Sequence, residues 1–188
     1  MYHAALPHQI GNKKSSIYTH EIERNLSLLT PLQIDISVKR PVLFPSQKDV
    51  EKVKPLQNEP YICIAPTSVW FTKQFPPKQW IAFINKLQFG GKIYLLGAPT
   101  DKDACDKIAN ETKFTSIENL AGKLSLLQSA ALLKNAIINY VNDSAPMHLA
   151  SAVNAPVCAV YCSTIPSFGF GPLSDFAEVV QILEDLSC

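Results

Sequence analysis

The sequence predicts an α/β fold, a parallel Rossmann-like sheet with helices on both faces, and three observations carry that prediction. From Tyr61 onward, short apolar runs rich in β-branched residues alternate with longer amphipathic runs. The apolar runs lack a polar alternate face, as strands covered on both sides require. The run ending at Val141 stops abruptly at Asn142-Asp143-Ser144, and an amphipathic run, Pro146 to Val153, starts at once.

Taken in order, Tyr61–Ala65 reads as a strand and Pro77–Gln88 as a helix. Lys92–Leu96 is the next strand, and Asp101–Glu111 a helix whose acidic start suits the helix dipole. Phe114–Glu118 is a weak strand, followed by a helix over Ser125–Asn135. Ile137–Val141 is a strand, Pro146–Val153 a helix and Val157–Cys162 a strand, while Glu178–Leu183 fits a last strand or helix. Residues 1–58 break this rhythm and read as an N-terminal helix and linker strap ahead of a Rossmann-like domain over 59–188. In that first part Tyr18–Leu32 is helical, with Ile22, Leu26 and Leu29 on one face and Pro31 closing it. Val38–Pro60 is proline-rich and charged, the pattern of a linker or irregular strap.

Composition narrows the function. The 188 residues are 47% hydrophobic, enough for one sizeable core plus an appendage. A net charge of +1 points to no nucleic-acid partner. The first residues lack the apolar core of a signal peptide, and no apolar run is long enough to span a bilayer. Five cysteines, odd in number and without metal spacing, fit a reducing, cytoplasmic setting. Asp101-Lys102-Asp103 has the form of a metal-binding D-x-D triplet, but opens a helix where acidic residues are favoured anyway, so no metal and no cofactor are expected. His3 and His8 read as surface, and Phe168-Gly169-Phe170-Gly171 lacks the strand and helix that a dinucleotide fingerprint needs.

Right-handed crossovers place ligands at the carboxyl ends of parallel strands. Four loops fall there: Ala65–Lys73, Gly97–Asp101, Asn119–Leu124 and Asn142–His148. The last is the most informative, because a buried strand ends at Asn142-Asp143-Ser144 and a helix starts at once. A helix N-terminus attracts phosphate, whereas the Asp143 carboxylate repels it. A sugar nucleotide, with both a phosphate and hydroxyls, uses both; simple capping by Asp143 and Ser144 also accounts for the pair. In the first loop Lys73 can neutralise a diphosphate as a point charge, with Thr67, Ser68 and Thr72 as hydroxyl donors.

These loops resemble those of the bacterial lipopolysaccharide heptosyltransferases, glycosyltransferase family nine, in their carboxyl-terminal half. The resemblance rests on Pro66, Trp70, Thr72 and Lys73, on Leu120 to Leu126, on Asn142 to His148, and on Gly171-Pro172, in that order. It implies the donor-binding half of a GT-B glycosyltransferase, an inverting, metal-independent enzyme of lipopolysaccharide core synthesis whose donor is ADP-heptose or similar. It implies catalytic roles for Lys73 and Asp143, the first at the diphosphate and the second at the sugar hydroxyls. Thr72, Ser144, Ala145 and His148 then bind or support the donor, Leu124 lies near the base, and Asp101 is a candidate for the ribose. The family's acceptor is a lipid-linked oligosaccharide at the inner face of the membrane, bound by an amino-terminal domain to which nothing in residues 1–60 corresponds. That absence predicts an incomplete catalyst, with self-association through an exposed interdomain face. Ala145 stands where the family has glycine, Thr67 likewise, Phe71 where proline is frequent and Gln74 where arginine is. These departures support an alternative: a non-catalytic remnant or structural nucleotide-binding domain. A sugar-nucleotide isomerase, which can share the two-domain fold, is a third reading.

Overall fold

The computed structural model describes residues 19–33 and 40–182. Its strands are β1 (Tyr61–Ala65), β2 (Lys92–Leu95), β3 (Ile117–Asn119), β4 (Asn139–Asn142), β5 (Val157–Tyr161) and β6 (Ala177–Gln181). All pair in parallel, in the order β3-β2-β1-β4-β5-β6. This is the doubly wound order, in which the chain builds outward from β1 in one direction and then restarts at β4 in the other. The helices are α1 (Glu21–Ser27), α2 (Gln47–Val53), α3 (Pro77–Lys86), α4 (Lys102–Glu111), α5 (Leu126–Asn135) and α6 (Ala145–Ala152).

The period-2 geometry of each strand divides its apolar side chains between two layers. Tyr61, Cys63 and Ala65 of β1 pack into one core with Val53 of α2, Leu132 and Leu133 of α5 and Met147 of α6. Ile62 and Ile64 face the other, with Trp80 and Ile84 of α3 and Cys105 and Ile108 of α4. All five residues of β1 are buried, which is why that segment reads as a continuous apolar run. Full burial of side chains such as Ile64 or Leu133 contributes about 1.5–3 kcal/mol each.

Asn139, at the start of β4, is completely buried. Its amide donates to the carbonyls of Leu133 (3.1 Å) and Pro156 (2.8 Å), tying the end of α5 to the start of β5. Two tyrosine hydroxyls act similarly, Tyr61 on the Leu132 carbonyl and Tyr94 on that of Leu56, both at 2.8 Å.

Several sequence expectations shift by a few residues. The weak strand expected at Phe114–Glu118 forms at Ile117–Asn119, because pairing of Ile117 with Ile93 sets the register of this edge. The helix expected from Tyr18 runs over Glu21–Ser27; Tyr18 lies outside the described residues. Ile22 and Leu26 are half-buried, Leu29 is exposed, and Pro31 sits inside a separate 3-10 turn at Thr30–Leu32. The expected strap over Val38–Pro60 instead contains α2, which begins with a reciprocal cap between Ser46 and Asp49 and buries Val53 in the core. The prolines flank that helix without interrupting it. The last element is strand β6 at the sheet edge, with Val179 and Val180 exposed; Leu183 lies outside the described residues.

The Asn139 tie leads to a stability prediction. Asn139→Ala removes the side-chain donor from two carbonyls, which keep the backbone amides of Ala136 and Asn139, and opens a small void. The loss of both hydrogen bonds and the void are expected to cost about 2–3 kcal/mol. That corresponds to a fall in melting temperature of roughly 5–10 °C, read by thermal unfolding.

Candidate functional site

The strand order reverses between β1 and β4, and the connections leaving these neighbours go to opposite faces of the sheet. Their loops diverge and leave a crevice at the carboxyl edge. The β1 loop crosses it in a 3-10 turn, Phe71–Lys73, closed by bonds from the Lys73 and Gln74 amides to the carbonyls of Trp70 and Phe71. The Gln74 side chain also donates to the Ser68 carbonyl at 2.6 Å. The far end of this loop is pinned to β4, since the Phe75 amide donates to Asn142 Oδ1 at 2.9 Å. Asn142 is fully buried, and its Nδ2 has no hydrogen-bond partner among the described residues.

That pinning brings Lys73 Nζ to 2.7 Å from Asp143 Oδ2, an ion pair across the crevice. Asp143 is buried, 5% exposed, and its backbone amide donates to the Val160 carbonyl. The same Oδ2 accepts the Thr164 hydroxyl at 2.7 Å, so three loops converge on one carboxylate. Thr164 follows β5 in a segment that the sequence reading did not count among the edge loops. The available signal was its place just past the carboxyl end of a parallel strand.

Next to the pair is a cavity of about 410 Å³ enclosed by the loops after β1, β2, β3 and β4. Thr67, Ser68, Asp101, Leu124, Ser144 and Ala145 line it, and its wall is mostly apolar. Asp101 Oδ2 accepts the Ala98 amide at 2.7 Å and so caps the turn at Pro99–Asp101. Gly122 shapes the opposite rim: its φ is +75°, and a Cβ there would lie 2.8 Å from Pro99 Cα. Thr72 departs from expectation, being exposed on the 3-10 turn and absent from the cavity wall; Thr67 and Ser68 take that wall instead.

Helix α6 points its N-terminus at this cavity. Ser144 occupies the N-cap position, but its hydroxyl donates to the Asn142 carbonyl at 3.3 Å and caps no helix amide. The first-turn amides therefore have no side-chain cap, and simple capping does not explain Asp143 and Ser144. Ala145 is exposed at the first helical position. It is not one of the described non-glycine residues with positive φ, so its methyl group introduces no backbone strain.

His148 lies one turn into α6, half-buried, edge-on to Phe170 with ring centroids 6.4 Å apart. Burial holds its pKa below the usual 6.5; the Asp143 carboxylate opposes the shift, and His20 and Lys73 reinforce it. His20 was not anticipated from the sequence. Its Nδ1 accepts the Ile22 amide, and its Nε2 pairs with the Gly171 carbonyl at 3.2 Å, which requires the Nε2–H tautomer. Together with the Glu21 amide on the Gly169 carbonyl, this docks α1 against the Phe168–Gly171 loop, a structural role for that glycine-containing stretch. Among the described residues no cluster of His, Cys, Asp or Glu has the makings of a metal site. His3 and His8 lie outside the described residues.

Lys73→Met removes the cation from a buried carboxylate and is expected to cost about 1–3 kcal/mol, reduced from a fully buried pair because Lys73 is partly exposed. Pairing it with Asp143→Asn should recover much of that loss in urea denaturation. For His148 the folded state favours the neutral ring, so the unfolded chain binds more protons as pH falls through 6.5. The stability that this burial preference leaves intact above pH 6.5 is lost progressively below it. His148→Gln should therefore show a shallower decline in stability between about pH 7.5 and 5 than the unmodified chain, measured by denaturant midpoints.

Comparison with known proteins bears on what this arrangement serves. Residues 3–188 match the model of glycosyltransferase family 9 (heptosyltransferase). Lipopolysaccharide heptosyltransferase 3 of Escherichia coli is 32% identical over 153 residues, covering 76% of this chain and 44% of that protein. Lipooligosaccharide heptosyltransferase 2 of Haemophilus influenzae is 31% identical over 192 residues, covering 93% of this chain and 55% of that protein. The structure of E. coli ADP-heptose lipopolysaccharide heptosyltransferase II superposes with a TM-score of 0.65 at 25% identity, over 79% of this chain and 47% of that one. An E. coli heptosyltransferase solved with ADP shares the fold, with a TM-score of 0.69 at 22% identity over 93% of this chain and 52% of that one. The chain thus spans about half the length of the relatives it matches. With its crevice at the β1–β4 switch point and a family match along nearly its whole length, the chain belongs to glycosyltransferase family 9, the heptosyltransferases.

Proposed function

We propose that this chain is the donor-binding half of an inverting, metal-independent glycosyltransferase of lipopolysaccharide core synthesis, with an ADP-heptose-like nucleotide sugar as donor. The observation that carries this reading is the Lys73–Asp143 pair, 2.7 Å apart, beside both the cavity and the uncapped start of α6. A nucleoside diphosphate sugar has three chemically distinct parts, and the site offers a match for each. The base suits the mostly apolar cavity around Leu124, with Asp101 at its rim for ribose hydroxyls. The diphosphate suits the amides of Ser144 and Ala145 and the Lys73 ammonium. The sugar hydroxyls suit the Asp143 carboxylate, which accepts and cannot donate when ionised.

In an inverting transfer the acceptor hydroxyl attacks the anomeric carbon as its bond to the diphosphate oxygen breaks. Negative charge accumulates on the departing nucleoside diphosphate, and positive charge on the sugar ring. Lys73 and the α6 amides are fixed where the first develops, and Asp143 where the second does. Each preorganised donor of this kind is worth about 3–4 kcal/mol of barrier. Lys73 and Thr164 share Asp143 Oδ2, each at 2.7 Å, and the ammonium keeps further N–H groups for a ligand. His148 supports the turn from behind with its neutral ring favoured.

Two of the relatives support the nucleotide assignment, one solved with ADP and one named for ADP-heptose. Transfer to a lipid-linked oligosaccharide at the inner face of the membrane requires an acceptor site and a general base outside these residues. Val69, Trp70 and Phe71, 69–95% exposed on the β1 loop, support an interdomain face beside the crevice.

Thermal melting with ADP, UDP, GDP and CMP tests this reading without requiring activity. At a hundred times Kd a ligand adds about 2.7 kcal/mol to stability. For a chain of this size that is a rise of roughly 5–10 °C. A selective rise with ADP is the expected outcome. A flat response across the panel overturns the donor assignment in favour of a non-catalytic remnant.

A further inference from the structure

We propose that Thr164 is the positioning residue that aims the site's carboxylate at the donor sugar. The role rests on Asp143 facing the sugar hydroxyls, as proposed above. Asp143 has two oxygens, and the structure distributes its partners unequally. Oδ2 takes both the Lys73 ammonium and the Thr164 hydroxyl, each at 2.7 Å, while Oδ1 has no hydrogen-bond partner among the described residues. An ionised carboxylate has about four acceptor positions. Concentrating two donors on one oxygen fixes the plane of the group and leaves the other oxygen free to accept from a ligand.

Lys73 alone fixes this plane poorly. A lysine ammonium is a point charge on a flexible stem, and it neutralises a carboxylate equally well from many directions. A threonine hydroxyl is directional, and its β-branched side chain has restricted χ1 freedom. The segment that carries Thr164 is held at both ends. Tyr161 closes it from β5, its hydroxyl donating to the Phe170 carbonyl at 3.0 Å. Ile165, 8% exposed, anchors the following residue in the core, and its carbonyl accepts the Phe168 amide. Asp143 is equally fixed at its backbone through the Val160 carbonyl, which lies on β5 just before the same segment. The end of β5 and the residues just past it therefore hold both the main chain and the carboxylate of Asp143. The N–H groups that Lys73 does not use on Oδ2 serve the diphosphate.

Calorimetric titration with ADP and with ADP-heptose separates this role from a structural one. Thr164→Val keeps the side-chain volume and removes the donor, while Thr164→Ser keeps the hydroxyl. The Val variant is expected to bind ADP like the unmodified chain and to lose roughly tenfold in affinity for ADP-heptose, with the Ser variant restoring it. A Val variant that binds ADP-heptose at full strength overturns the proposal. Equal losses for both ligands with a lowered melting temperature also overturn it, because they mark a hydroxyl that only holds the loop. A Ser variant that behaves like Val overturns it as well. If the unmodified chain binds ADP but gains nothing from the heptose, the sugar role of Asp143 falls together with that of Thr164. If it binds neither ligand, the donor reading itself fails.

Discussion

The site depends on a topological constraint: the sheet order reverses between β1 and β4, so two adjacent parallel strands send their chains to opposite faces. Adjacent parallel strands whose connections leave on the same side have loops that cover one another. Here they part, and the space between them must be bridged by something other than backbone pairing. The bridge is the Lys73–Asp143 ion pair, supported by the Phe75 amide on Asn142 and by Thr164 on Asp143. The polar groups are buried enough to be costly if unmatched, and each of these contacts matches one of them.

The two halves of the crevice differ in kind. On one side are a helix N-terminus without a side-chain cap and a charged pair; on the other is an apolar cavity walled by the turns at Pro99–Asp101 and around Gly122. Gly122 matters there because its backbone has positive φ and sits too close to Pro99 to admit a side chain. Asp101 contributes by holding its own turn shut through the Ala98 amide, which fixes the rim. Segment α1, although its helix buries no residue of its own, reaches this edge through His20 and Glu21 on the Phe168–Gly171 loop. That loop also carries Phe170 against His148, so the packing behind the site extends to the start of the described chain.

Much of this was legible in the sequence because burial leaves a strong mark. Both faces of β1, β2 and β5 are covered, and runs such as Tyr61–Ala65 therefore contain almost nothing polar. The strand-to-helix junction at Asn142–Ser144 and the lysine of the first loop were equally visible, since both fall at the carboxyl ends of such runs, where loops of a parallel sheet converge. Edges were read less well. β3 and β6 are only partly buried, so their hydrophobic signal is weak and pairing with a neighbour decides their bounds. The helix α2 was hidden by flanking prolines, although its Ser46–Asp49 cap was present in the sequence.

The sequence by itself determined the fold class and the placing of Lys73 and Asp143 on loops at the carboxyl edge of the sheet. These follow from local periodicity and from residue types that are costly to place elsewhere. Only the tertiary structure decided which oxygen of Asp143 is occupied and by what, because Thr164 is 21 residues away and meets it through the β4–β5 pairing. It likewise placed Thr67 and Ser68 in the cavity wall and left Thr72 outside, a choice made by the direction of one 3-10 turn. It brought His20 to Gly171 across 151 residues of chain, a contact for which no sequence pattern exists. The physical reason is common to all three: side-chain direction at a loop is set by what the loop packs against, and that partner lies far away along the chain.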